Sequence, residues 1–199
     1  MKNFYLVKLL AFKLINFFFE TQTTFAQCHN NDWNALKALY ESTNGDNWII
    51  SSGWEKVNGD ERTVICSLGN LFGVHITNGR VTFIDLEGDN DCHRNSLPVW
   101  NNLIGSIPSD LEYLNNLEQL HLAGNNFSNS GIPIELGNLT NLTHLDLYGN
   151  KLEDSVPAEL GNLTNLRELV LWTNKLSGSI PPQLGNLSNL TTFNPTWLF

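Results

Sequence analysis

The stretch "ELGNLTNLTHLDLYGNKLEDSVPAELGNLTNLRELVLWTNKLSG", Glu135 to Gly178, states nearly one phrase twice. Its core, "LGNLTNL", stands at Leu136 and Leu160 and returns as "LGNLSNL" at Leu184. Aligned on that phrase, Leu142, Leu145, Leu147, Asn150, Leu152, Val156 and Pro157 recur 24 residues later as Leu166, Leu169, Leu171, Asn174, Leu176, Ile180 and Pro181. Upstream, Leu117, Leu120, Leu122, Asn125, Phe127, Ile132 and Pro133 fit the same frame with one extra residue in "FSNSGIP". Val81, Ile84 and Leu86 open an earlier unit, which closes in "NLIGSIPSDLEYLNNL" after an insertion from Asn90 to Asn101; Leu190 begins a last unit that stops almost at once. A fixed period of this length marks an array of stacked units.

Each unit carries its own structural instructions. The "L-x-L" of "HLDL" and "ELVL" has period two, so it predicts a short strand with alternate leucines on one face, and Pro recurs where a helix would break. The Asn after that strand can hydrogen-bond the turning backbone, and the Ile-Pro pair fixes the return path. One unit's leucines cannot offset the cost of ordering 24 residues of backbone, so each unit must bury its ends on a neighbour and the terminal units need caps.

The pattern L-x-x-L-x-L-x-x-N-x-L-x-G-x-I-P-x-x-L-G-x-L-x-x resembles the plant-type leucine-rich repeat from roughly Arg80 to Leu190. The resemblance implies an α/β solenoid: a right-handed superhelix with a parallel concave β-sheet and a helical N-terminal cap. Residues 80–199 then hold about four 24-residue units and a truncated last one, and residues 27–79 hold the cap. In the cap, Asp32 is expected to N-cap a helix carrying Trp33, Leu36, Leu39 and Tyr40, which stops at "STNGDN". The wording "ALYESTNGDNW", with the later "GW" and "GV", is similar to caps of exported bacterial and algal members of the family. In that family a cysteine before the helix pairs with one before the "GV" segment, which here implies Cys28 with Cys66. The second pair of the family is missing, because Ile76 stands where its cysteine would be. Cys92 is then the odd thiol, or it takes the place of Cys28 as the partner of Cys66.

Composition bounds the rest. The 199 residues carry a net charge of -9, with only 11 Lys and Arg, which argues against a sequence-independent hold on nucleic acid. Residues 1–26 read as an export signal: a basic start at Lys2, an apolar run from Phe4 to Phe19, then small or neutral residues at Thr24 and Ala26 before Gln27. The apolar run is shorter than a spanning helix needs, so no membrane span is expected in the mature chain, which becomes secreted or held at the cell surface. Its removal takes three lysines and one glutamate and leaves the remainder two charges more negative. The tail "FNPTWLF" is apolar where a cap should be polar, so either the array continues or these aromatics fold back over the last unit.

No catalytic signature is present, and no cofactor motif. The alternating acids Asp85, Glu87, Asp89 and Asp91 lack the glycine and terminal glutamate of a calcium loop. His121, His144 and Asp146 supply a zinc-like ligand set, but the two histidines fall in different columns of the array, so no metal site is expected. Six N-x-S/T sequons, at Asn126, Asn138, Asn141, Asn162, Asn186 and Asn189, arise mostly from the repeat phrase itself.

The positions between the leucines face outward on the concave sheet. One column reads Phe83, Gln119, His144, Glu168 and Thr192; the next reads Asp85, His121, Asp146, Val170 and Asn194; a third reads Glu87, Ala123, Tyr148 and Trp172. Strands lie ~4.8 Å apart, so Tyr148 and Trp172 are expected side by side with polar neighbours, as on a recognition surface. Gln119, His121, His144, Asp146, Tyr148, Glu168, Val170 and Trp172 are the expected contact residues. The expected function is a non-catalytic extracellular binding module for a protein or peptide ligand, with a glycan as a further candidate. Two alternatives stand beside it: an inhibitor of a cell-wall-degrading enzyme, and an ice-binding repeat protein.

Overall fold

The structure, a computed structural model, describes residues 30–49, 54, 71–87 and 101–194. The expected export signal, all three cysteines with their pairing, and the aromatic tail beyond Asn194 lie outside the described residues.

Helix α1 (Asn30–Ser42) buries Trp33, Ala35, Leu36, Leu39 and Tyr40, the stripe expected of a helix packed on one side. Asn44 ends this turn of chain in the left-handed conformation, at φ 58°. The expectation for Asp32 needs correction. Asp32 lies inside the first helical turn, fully buried, where Arg80 grips its carboxylate through Nη2 at 2.9 Å and Nε at 3.1 Å. The Val81 amide donates to the same carboxylate at 2.8 Å. The residue thus ties the helix to the first strand of the array instead of capping its own amides. Beyond the helix, the rings of Tyr40, Trp48 and Trp54 form one cluster, with centroid separations of 4.7 to 6.1 Å. The indole N–H groups donate to Thr43 O and Phe72 O, so the large rings are buried with their polar ends satisfied.

Strands β1 (Val74–Thr77), β2 (Arg80–Asp85), β4 (Gln119–His121), β6 (His144–Asp146), β7 (Glu168–Val170) and β8 (Thr192–Asn194) form one sheet in the order β1-β2-β4-β6-β7-β8. From β2 to β8 every pair is parallel, as the repeat predicts. Ahead of the repeats, in the cap region, β1 runs antiparallel to β2, the two joined by Asn78 and Gly79 at φ 52° and 74°. Such an Asn-Gly turn suits a two-residue hairpin because its twist matches that of the strands. The hairpin extends the sheet into the cap region. A second, two-stranded parallel sheet pairs β3 (Ile104–Gly105) with β5 (Asn126–Phe127).

Four short 3-10 turns, Ser109–Tyr113, Ile134–Asn138, Ala158–Asn162 and Pro182–Asn186, each follow a proline and occupy the return leg. Between sheet and turns runs a core in which Leu120, Leu145 and Leu169, along with Leu122, Leu147 and Leu171, have no exposed surface. Phe193 of β8 packs against the same core and is partly covered.

Two asparagine ladders hold the units in phase. Asn150 donates from Nδ2 to Leu122 O at 3.0 Å in the unit before it, and its Oδ1 accepts from Phe127 N at 3.2 Å. Asn125 and Asn174 repeat this pattern one unit to either side. On the return leg Asn141, Asn165 and Asn189 donate to Asn115 O, Thr140 O and Thr164 O at 2.7 to 2.8 Å. The second Asn of "LGNLTNL" is thus a bond between units, which accounts for its repetition.

Candidate functional site

Parallel register places the outward columns as the sequence predicts. Phe83 pairs with Gln119, Gln119 with His144, His144 with Glu168 and Glu168 with Thr192; Asp85, His121, Asp146, Val170 and Asn194 form the neighbouring row. In β4, β6 and β7 the middle leucine is buried, and its neighbours in β4 and β6 stand half-exposed on the open face. The bonding continues past the strands: Gly124 N donates to Tyr148 O at 2.8 Å and Gly149 N donates to Trp172 O at 3.1 Å. Tyr148 and Trp172 are held beside each other by that backbone ladder, their ring centroids 4.2 Å apart and their planes at 38°. Trp172 is 36% exposed, a large share for an indole.

Of the eight expected contact residues, Gln119, His121, His144, Asp146, Tyr148 and Glu168 are half-exposed and Trp172 is exposed. Val170 differs. It is only 8% exposed, because its short branched side chain hardly rises above the sheet between its register partners Asp146 and Asn194.

The polar end of the face is crowded. His121 Nδ1 lies 3.2 Å from Glu87 Oε1, and the His121 ring stacks at 6.3 Å on that of His144 and at 5.5 Å from that of Phe83. The Glu87 carboxylate raises the affinity of His121 for its proton against the opposing effect of burial. Burial likewise lifts Asp85 above the usual carboxylate range and carries Asp146 up to about 6. Each of these two aspartates accepts a backbone N–H two residues on, from Glu87 and Tyr148. Donor atoms of Glu87, His121 and Asp146 all lie within 4.8 Å of one another. The sequence-level ligand set of His121, His144 and Asp146 is therefore not the one the fold gathers. Glu87 takes the place of His144, brought to His121 by a side-chain reach across columns.

A shallow groove runs elsewhere, along the Ile-Pro and Val-Pro returns at Ile107, Ile132 and Val156. It gathers no cluster of metal-ligating groups among the described residues. Among the described residues, too, no helix is long and apolar enough to cross a membrane.

A stack of parallel strands one repeat apart, closed by asparagine ladders and proline-led returns, defines a solenoid with one open sheet face. Leucine-rich repeat patterns match residues 140–182, as two copies, and 116–139. In its fold the chain is similar to the BIR2 ectodomain from Arabidopsis thaliana, with 30% identity, a TM-score of 0.64 and coverage of 81% of this chain and 77% of that one. It is similar also to the BIR3–SERK2 complex from the same plant, with 30% identity, a TM-score of 0.60 and coverage of 79% and 77%. A plant ice-binding protein gives 30% identity and a TM-score of 0.62, over 82% of this chain and 47% of that one. No curated protein matches the chain. The chain belongs to the leucine-rich repeat family, in its plant-type form.

Proposed function

We propose that the chain is an extracellular, non-catalytic binding module that takes a protein or peptide ligand on the open face of its sheet. The observation that carries this reading is the tilted ring pair of half-exposed Tyr148 and exposed Trp172, set on a backbone ladder beside His144, Asp146 and Glu168. Aromatic rings with few rotatable bonds give a ligand large contact area at low entropic cost, and the polar groups around them fix its orientation. The likeness to a plant ectodomain and to a structure of two proteins in complex supports a protein partner and a secreted or cell-surface setting. The half-buried carboxylates suit a ligand with cationic side chains. Neither similar protein speaks by its name for a glycan, and inhibition of a cell-wall-degrading enzyme is a special case of a protein ligand.

Ice binding is the second reading, and the likeness to a plant ice-binding protein is the observation in its favour. An ice-matching surface needs one residue type repeated at even spacing, whereas the columns here change from Phe83 through Gln119 and His144 to Glu168. Selection of a displayed random-peptide library on the full secreted chain, run beside an ice-growth assay, separates the two. Enrichment of peptides with saturable binding and unchanged ice growth is expected; ice shaping without peptide enrichment overturns the proposal.

A further inference from the structure

The ligand reading leaves Glu87, His121 and Asp146 unexplained as a group. Asp146 and His121 are register partners on β6 and β4, and Glu87 follows β2, so three successive units each send one donor to a single spot on the open face. We propose that these three side chains form a binding site for one first-row divalent cation, zinc above all.

The spacing supports it. Zinc binds nitrogen and oxygen at ~2.0–2.2 Å, which puts neighbouring donors of a tetrahedral shell about 3.3 Å apart. His121 Nδ1 and Glu87 Oε1 already stand 3.2 Å apart. The widest separation in the group, within 4.8 Å, closes by about 1.5 Å, which a side-chain rotation supplies. Asp146 is oriented in advance, since its Oδ1 accepts the Tyr148 amide at 2.8 Å and leaves the other oxygen free.

His121 is held for this role: the hydrogen bond it makes among the described residues joins its Nδ1 to Glu87, which turns that nitrogen toward the carboxylates. A cation also relieves the local field: Glu87 and Asp146, with Asp85 and Glu168 close by, place like charges on one small area, and two carboxylates with a neutral imidazole balance a divalent ion. One nitrogen and two oxygens make a borderline donor set that suits zinc; calcium needs six or more oxygens. The rest of the shell goes to water.

The test is calorimetric titration of zinc chloride into the full secreted chain, stripped with a chelator and with its free thiols alkylated. One equivalent should bind, and His121→Ala and Asp146→Asn should each weaken binding about tenfold or more, while His144→Ala changes it less than about twofold. Circular dichroism confirms that each variant is folded; if His121→Ala is not, Glu87→Gln replaces it. No saturable binding, or binding that follows His144 and is indifferent to His121 and Asp146, overturns the proposal.

Discussion

The ring of Trp172 lies 4.2 Å from that of Tyr148, one strand away, and neither ring belongs to the leucine core. The aromatic pair and the scaffold are therefore separable. Replacing both residues by Ala should leave the cooperative unfolding transition in place, within ~1 kcal/mol of the parent. Leu145→Ala, one column inward and fully buried, should lower stability by about 2 to 5 kcal/mol. Urea unfolding followed by circular dichroism measures both.

Gly161 offers a second test, of the stacking itself. A Cβ added there would stand 2.4 Å from Gln183 O in the next return, and the equivalent Gly137 meets Glu159 O at the same distance. Around Gly185, the third member of the series, no atom of the described residues beyond its chain neighbours lies within 4 Å of the added Cβ. Gly161→Ala should therefore cost about 1 to 3 kcal/mol by forcing two returns apart, and Gly185→Ala should cost nothing measurable. Equal effects of the two would contradict the packing described.

Asp32 joins cap to array through Arg80 and the Val81 amide. Asp32→Ala leaves a guanidinium and a buried N–H without their acceptor, so a loss of about 3 kcal/mol is expected. Arg80→Lys should recover only part of the bond, since an ammonium cannot match the two-point grip. Thermal melts of the three chains decide this.

The pH dependence follows from Asp146. Burial carries its folded pKa to about 6 against 3.8 for an ordinary aspartate, so its charged form is disfavoured in the folded chain. The group costs stability above pH 6, and that cost fades as pH falls from about 6 toward 4. Asn keeps an oxygen for the Tyr148 amide and does not ionise. In the presence of chelator, Asp146→Asn should be more stable than the parent at pH 7.5, with the advantage shrinking as the pH is lowered to 4. A constant difference across that range would contradict the assignment.

Much of this was legible before any coordinates, because the period does the geometric work. A constant repeat forces parallel strands into one register, so the pairing of His144 with Glu168 and the closeness of Tyr148 to Trp172 could be counted off. What escaped lies where the repetition ends or is incomplete. The Asp32–Arg80 bond joins residues 48 apart across the boundary between cap and array, and no period reaches across it. The Asn78-Gly79 hairpin lies in the cap, ahead of the repeat, where no period marks a strand. Glu87 sits past the end of β2, and its approach to His121 depends on a side-chain reach that column counting does not register. Val170 shows the converse: the column was right, and the height of the side chain above the sheet was not.

In the proposed function, ligand is held on the open face by Tyr148 and Trp172. The most direct test is to titrate a peptide selected on the parent chain against the folded Tyr148→Ala/Trp172→Ala variant by calorimetry. A loss of at least ~2 kcal/mol, about thirtyfold in affinity, is expected. Unchanged affinity in a folded variant would place the ligand elsewhere and contradict it.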